Sequence, residues 1–385
     1  MNEEFVPYGK QWIDDDDVKA VMDVLRSDYL TQGPKVPELE AQLRALTGAE
    51  YCAVVANATA ALHLIVASLS LPRGSEGITT PNTFVASANC LVYNGVRPIF
   101  VDIEEKTYNI DPSEIKKKVT NETQVSVAVD FAGQPAALEE IRTIVGKKKI
   151  TVIEDASHAI GSRYRDGSFV GHCTHSDATV FSFHPVKTAT TGEGGAVTTN
   201  DKALYEKICL LRSHGITRSF SPGFSSPGPW YYEMTALGYN YRLTDLQAAL
   251  GCSQLKKLPL LARRRREIVN RYNDEFSDIP WLITPFEAAG TDSCFHLYVL
   301  QMDFERVKKT RVQVMEELRK KGIGTQVHYI PVHTQPYYRS TFGTGWGDCP
   351  IAEKYYHHAL SIPLFPRMTD AEVVRVINAV KGIAD

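Results

Sequence analysis

No run of about 18 consecutive apolar residues occurs in this chain, so no helix able to span a bilayer is expected. Charge of one sign is also scarce, with Lys+Arg 42 against Asp+Glu 45 and a formal net charge of −3. Affinity for a nucleic-acid backbone comes from neutralising lysines and arginines, so no nucleic-acid partner is expected. The densest cationic run, Arg263-Arg264-Arg265-Arg266, lies in a helical stretch ahead of Glu267 and reads as a solvated helix face. The cysteines, at 52, 90, 173, 209, 252, 294 and 349, are odd in number, scattered and never spaced C-x-x-C, which leaves no disulfide framework and no zinc site. No other metal site is expected, since Asp14-Asp15-Asp16-Asp17 ahead of Val18 is the acidic first turn of a helix. A G-x-x-x-x-G-K-[ST] phosphate loop is missing, and Gly343-Thr344-Gly345-Trp346-Gly347 follows no expected strand and opens no helix, so it reads as a surface loop. The opening Met1-Asn2-Glu3-Glu4 has no basic stretch leading into an apolar segment, and the protein is expected in the cytoplasm.

What the chain does have is the material for a large core: 385 residues, 43% of them hydrophobic. A chain of about 300 residues hides roughly three-quarters of the surface its unfolded form exposes, so no covalent or metal staple is needed. After an extended arm at 6–10 and two short helices, apolar strand runs alternate with segments of helical period. Strands are expected at 51–55, 78–80, 98–102, 124–130 and 150–154, with helices over 58–69, 85–93 and 137–145. Strands 178–182 and 196–199 continue the series with no helix between them, so part of the sheet should run antiparallel. The expected fold class is therefore α/β, a mixed seven-stranded central sheet covered by helices, with a smaller α+β C-terminal domain. A Ser/Pro/Gly-rich loop at 219–229 precedes helices over 243–255 and 260–276; strands 296–302 and 325–329, a helix over 310–320 and a last helix from 369 build the second domain. The division falls near 255, giving domains 1–255 and 256–385.

Chemistry concentrates at strand ends. Ile150-Thr151-Val152-Ile153 reads as a buried strand running into Glu154-Asp155. Strand carboxyl ends face the ligand crevice of an α/β sheet, which puts Asp155 where a cofactor would sit; the same residue type also serves as an ordinary helix N-cap. Lys187, in Phe181-Ser182-Phe183-His184-Pro185-Val186-Lys187, stands among apolar and small residues ahead of Gly192-Glu193-Gly194-Gly195. Desolvation there would lower the amine's pKa and suit it to Schiff-base chemistry, the alternative being a solvated surface lysine. A carboxylate and a lysine amine are together what pyridoxal phosphate chemistry asks of a protein. Its phosphate would need a cradle, and Asn57-Ala58-Thr59-Ala60-Ala61-Leu62 joins a strand to a helix N-terminus, with Thr59 and Ser182 offering hydroxyls. Phe84 can lie against a flat cofactor or pack in the core. Tyr8, Lys10 and Gln11 on the arm, with His328, Tyr329 and His333, are candidates for substrate contact or for structural roles.

These runs, with Pro81-Asn82-Thr83-Phe84 and Glu154-Asp155-Ala156-Ser157-His158-Ala159-Ile160-Gly161, occur in an order that resembles the DegT/DnrJ/EryC1/StrS sugar aminotransferases over nearly the whole chain. The resemblance implies a fold-type I pyridoxal 5'-phosphate enzyme that works as a homodimer on nucleotide-linked keto sugars. It implies Lys187 as the lysine that bonds the cofactor, Asp155 as the partner of its ring nitrogen and His158 near its phenolic oxygen. Phe84 would stack on the ring, while Ala58, Thr59 and Ser182 would hold the phosphate. Asn240 of the neighbouring subunit would reach that phosphate, with Arg242 close by. Ala58 stands where many members have glycine, so the turn need not take positive φ, and His158 stands where others have glutamine. Lysine at 187, where the dehydratase branch has histidine, separates the chain from that branch.

Val6-Pro7-Tyr8-Gly9-Lys10-Gln11-Trp12-Ile13, Arg212-Ser213-His214-Gly215-Ile216-Thr217-Arg218, Gly238-Tyr239-Asn240-Tyr241-Arg242-Leu243-Thr244-Asp245 and Thr325-Gln326-Val327-His328-Tyr329-Ile330-Pro331-Val332-His333 look like the branch that serves pseudaminic acid biosynthesis. That likeness implies a UDP-linked 4-keto-6-deoxy-N-acetyl hexosamine as acceptor and L-glutamate as donor, leaving as 2-oxoglutarate. It sets Tyr8, Lys10, Gln11, His328 and Tyr329 along the substrate cleft. A D-configured UDP- or GDP-linked keto sugar, or a sugar dehydratase, are the alternatives.

Overall fold

The computed structural model describes residues 4–218 and 226–384, so 219–225 of the expected Ser/Pro/Gly-rich loop lie outside the described residues. Strands β1 (Tyr51–Val55), β2 (Glu76–Thr79), β3 (Arg97–Phe100), β4 (Thr123–Val129), β5 (Thr151–Asp155), β6 (Ala178–Ser182) and β7 (Gly195–Thr199) form one seven-stranded sheet in the order β1-β7-β6-β5-β4-β2-β3. Neighbours from β6 through β3 are parallel, whereas β7 runs antiparallel to both β6 and β1. The cause is the connection: no helix lies between β6 and β7 to carry the chain back across the sheet, so it must reverse.

The period-2 alternation of strand side chains feeds both faces. On one face Val125, Val127, Ile153 and Val180 pack under α3 (Ala58–Leu69) and α4 (Ala86–Tyr93). On the other, Ala128 and Val152 meet Ile115 of α5 (Pro112–Lys118) and Ile141 of α6 (Leu138–Val145). Ahead of the sheet lie α1 (Asp15–Leu25) and α2 (Lys35–Thr47), and α7 (Lys202–Leu211) follows β7. The aspartate run does start α1, with Asp14 as N-cap and Asp17 closing a capping box.

A short hairpin, β8 (Ile216–Thr217) with β9 (Glu233–Met234), leads to α8 (Asp245–Phe276). Beyond it β10 (Leu282–Ile283), β11 (Tyr298–Met302) and β12 (Ala359–Ile362) form a three-stranded sheet, accompanied by α9 (Arg311–Lys320), α10 (Pro336–Phe342), α11 (Pro350–His358) and α12 (Asp370–Lys381). Val6 of the arm is fully buried in this second core and is bonded to Gly322 and Gly324, which pins the arm and delivers Tyr8 to the domain junction.

Three expectations are corrected. The helices expected at 243–255 and 260–276 are one, the 32-residue α8, with Pro259 inside it. Its first half buries Ala248, Cys252 and Leu258 against the large domain, and its second half buries Ile268, Val269, Tyr272 and Phe276 in the small one. Leu258, Ile268, Val269 and Phe276 each contribute about 1.5–3 kcal/mol, which together outweighs the roughly 3 kcal/mol that an interior proline costs. Residue 255, near which the division is expected, lies within this helix. The strand expected at 325–329 is only a bridge between Gln326 and Ser361, because the next backbone groups go to side chains: the Val327 amide donates to Gln326 Oε1 and His328 O accepts from Tyr355. Finally, the arginine run is not a solvated face throughout. Arg265 is 1% exposed, its guanidinium donating to the carbonyls of Phe295, His296 and Leu364, while Arg264 and Arg266 hold Asp370 and Glu287.

Candidate active site

One edge of the central sheet collects the ends of four parallel strands. There β1 runs through Asn57 into α3, β2 runs on toward Phe84, β5 ends at Asp155, and β6 ends at Ser182 with Lys187 just beyond. Together they wall a cavity of about 960 Å³, large enough for a cofactor and a substrate at once.

At the α3 N-terminus, Asn57 Oδ1 takes the Ala60 amide at 2.8 Å and Asn57 O takes that of Ala61. The Ala58 and Thr59 amides have no acceptor inside the helix and lie at the positive end of its dipole, where an anion is stabilised. Ala58 is the first helical residue and needs no positive φ, as expected. Gly195 pairs with Val55 on one side and Ser182 on the other. A Cβ at Gly195 would lie 2.6 Å from Ala58 N, so only glycine lets the turn close against Ser182.

Asp155 is held by three donors. Ser87 Oγ donates to Oδ2 at 2.6 Å, and Ser157 donates to Oδ1 through its hydroxyl at 2.5 Å and its amide at 3.2 Å. A carboxylate has about four lone-pair positions, so one remains for a donor inside the cavity. The Lys187 side-chain amine makes no hydrogen bond among the described residues, and burial lowers its pKa to about 8, with the negative charge of Asp155 opposing.

Imidazoles and phenols form the far wall. His158 Nδ1 accepts the Ala132 amide at 3.3 Å, its Nε2 lies 3.1 Å from Tyr329 Oη, and its ring centroid is 4.5 Å from that of His296. Burial and the nearby Lys187 charge hold His158 well below the usual histidine range and His328 down to about 3, so both are neutral hydrogen-bonding groups.

Of the residues expected from sequence, Tyr8, Ala58, Thr59, Phe84, Asp155, His158, Ser182, Lys187, His328 and Tyr329 line this cavity. Phe84 is 59% exposed, so it is not a core residue. Four of the expected residues are not brought there by this single chain: Lys10, Gln11 and Asn240 are exposed and Arg242 is half-buried, none of them lining the cavity. His333 points away, fully buried with Nε2 2.9 Å from Glu353 Oε1. Ser87, Ser157 and His296 were missed. Ser157 was readable as the Asp-x-Ser turn that follows a strand; Ser87 and His296 carry no local signal, since one comes from the flank of α4 and the other looks like a strand residue.

The set fits pyridoxal phosphate: free amides and hydroxyls for a phosphate, a carboxylate with spare acceptor capacity for a ring nitrogen, an aromatic face and a desolvated, unpaired amine. A model of the DegT/DnrJ/EryC1/StrS aminotransferase family matches residues 11–381. The chain is 41% identical over 380 residues to the spore coat polysaccharide biosynthesis protein SpsC of Bacillus subtilis, covering 98% of this chain and 97% of that one. Among solved structures it is similar to PseC of Helicobacter pylori, an aminotransferase involved in the biosynthesis of pseudoaminic acid, with TM-score 0.92, 34% identity and 99% of both chains covered. Spr1654 of Streptococcus pneumoniae in its PLP form gives TM-score 0.90 at 29% identity, over 99% of this chain and 98% of that one.

Proposed function

The chain belongs to the DegT/DnrJ/EryC1/StrS aminotransferase family of pyridoxal phosphate-dependent sugar aminotransferases, and from that premise we propose an acceptor, a donor and a set of residue roles. The acceptor is UDP-2-acetamido-2,6-dideoxy-β-L-arabino-hexos-4-ulose, aminated at C4 with L-glutamate as donor, in the pseudaminic acid pathway. The observation that carries this reading is the likeness to PseC, at TM-score 0.92 over 99% of both chains. The 41% identity to SpsC favours a second reading, another nucleotide-sugar 4-aminotransferase acting on a D-configured UDP- or GDP-linked keto sugar. The free cysteines suit work in the reducing cytoplasm.

Pyridoxal phosphate, when bound, supplies the electron sink that makes a carbon beside nitrogen acidic. The chain does the rest. The Ala58 and Thr59 amides with Ser182 hold the phosphate, Asp155 keeps a proton on the ring nitrogen, and Phe84 covers the ring face. Lys187 takes the proton from Cα of the donor and returns one to C4 of the sugar. A pKa of about 8 leaves a useful fraction of free amine near neutrality, which suits a general base. Tyr8, His328 and Tyr329 line the remaining volume, where the sugar would lie.

Among the described residues the cavity is lined by no arginine and no lysine besides Lys187, yet it must accept a phosphate and a sugar nucleotide. Further positive charge then comes from a second copy of the chain, through Arg242 beside Asn240, with Lys10 and Gln11 completing the cleft mouth. Trp230 at 70%, Met234 at 64% and Leu237 at 80% exposure flank that segment and suit burial between subunits.

The test incubates purified enzyme with the L-configured keto sugar and L-glutamate, measuring 2-oxoglutarate and the product's C4 and C5 configuration by NMR. One 2-oxoglutarate per amino sugar is expected. Preference for the D-configured or GDP-linked substrate selects the second reading, and sugar turnover without 2-oxoglutarate defeats both.

A further inference from the structure

Tyr329 and His158 meet in the cavity wall, and the backbone decides which of them supplies the hydrogen. The Ala132 N–H reaches His158 Nδ1 at 3.3 Å. A backbone amide can only donate, so Nδ1 bears a lone pair and the imidazole hydrogen sits on Nε2. That Nε2 lies 3.1 Å from Tyr329 Oη, so Tyr329 is the acceptor in this contact and its own hydrogen is free. No other hydrogen bond to the Tyr329 hydroxyl exists among the described residues, and Tyr329 lines the cavity along with Lys187. A phenol in a desolvated place gains by finding an acceptor, and here that acceptor must come from the ligand.

We propose that Tyr329 is a dedicated hydrogen-bond donor to an oxygen of the bound reactants, and that His158 is the positioning residue that leaves it no internal acceptor. Burial keeps the Tyr329 hydroxyl protonated and His158 neutral, so the direction of the pair holds across the working pH range. The recipient is an electron-rich oxygen close to the site of nitrogen exchange. Two sources have that chemistry, the keto oxygen of the acceptor sugar and the phenolic oxygen of the cofactor ring. The inference rests on the family's aminotransferase activity and not on which sugar is used.

The first measurement needs no cofactor or substrate: long-range 1H–15N correlation on 15N-histidine-labelled apoprotein, with His158 assigned by its absence in His158→Gln. The Nε2–H tautomer is expected; an Nδ1–H tautomer or an imidazolium at pH 7 overturns the proposal, whatever the sugar proves to be. The second uses Tyr329→Phe loaded with pyridoxal phosphate. If the keto oxygen is the recipient, the sugar half-reaction slows about 10- to 100-fold, the glutamate half changes far less, and the pH titration of the cofactor absorbance stays put. If the ring oxygen is the recipient, that titration shifts and both halves slow. Wild-type values for all three overturn the donor role. The side chain in His158→Gln can still accept from Ala132 and donate to Tyr329, so this variant should retain most of the rate that His158→Leu loses; equal losses overturn the positioning role.

Discussion

At Lys187 a single side chain's surroundings set its chemistry. Burial disfavours the ammonium, so the amine is half free at a pH of about 8, far below the ordinary lysine value. Covalent capture of pyridoxal phosphate by the apoprotein should therefore speed up as pH rises through about 8, read by borohydride trapping and peptide mass analysis; an inflection near 10 would contradict the desolvation. Lys187→Ala should remain folded and lose at least about 10²–10⁴-fold in turnover, the usual worth of a positioned base. Asp155 was legible because it ends a strand, yet its orientation depends on Ser87, which arrives from another element. The arginine run shows the opposite case. Local sequence cannot tell four adjacent arginines apart, but packing buries one and leaves Arg263 exposed. Arg265→Ala should cost about 3 kcal/mol in urea unfolding, since it orphans three carbonyls bonded to a charge, while Arg263→Ala should stay within about 0.5 kcal/mol.

Elements carry a different kind of information. α3 matched its expected span because an asparagine cap and an unbroken apolar run define it locally. α5 went unread because Ile115 is its only buried apolar residue, too few for a period. α8 was split in two because Pro259 is a local stop signal, overridden by burial on both of its sides. Since Pro259 is exposed, Pro259→Ala should stabilise the protein by about 2 kcal/mol, the helix gain less the loss of unfolded-chain restriction, seen as a higher urea midpoint. The close approach of β7 to the α3 turn gives the converse prediction. Gly195→Ala should push the turn from Ser182 and weaken pyridoxal phosphate binding by tenfold or more in equilibrium titration, while secondary structure by circular dichroism stays unchanged.

On the scale of the whole molecule, α8 strings together two hydrophobic cores, and we propose that the chain divides into 1–255 and 256–385 although no linker marks the place. The proposed homodimer makes a direct prediction. Lys187→Ala and Arg242→Ala should each be nearly inactive, and mixing them under exchange conditions should restore about a quarter of wild-type activity, because half of the dimers are mixed and each mixed dimer holds one intact site. No recovery, with exchange verified by native mass spectrometry, would place Arg242 outside the shared site.

The seven strands of the central sheet, the reversal at β7 and the places where chemistry could occur were written in local pattern: apolar period, caps, glycines and the types of residue at strand ends. Those features act over a few residues, so sequence alone determines them. Tertiary structure decided which of those residues face one another. The pairing of Gly195 with both Val55 and Ser182, the serine grip on Asp155, the burial of Arg265 and the amide that fixes the His158 hydrogen all join segments distant in sequence, and only the packed sheet and its two cores bring such groups within bonding distance.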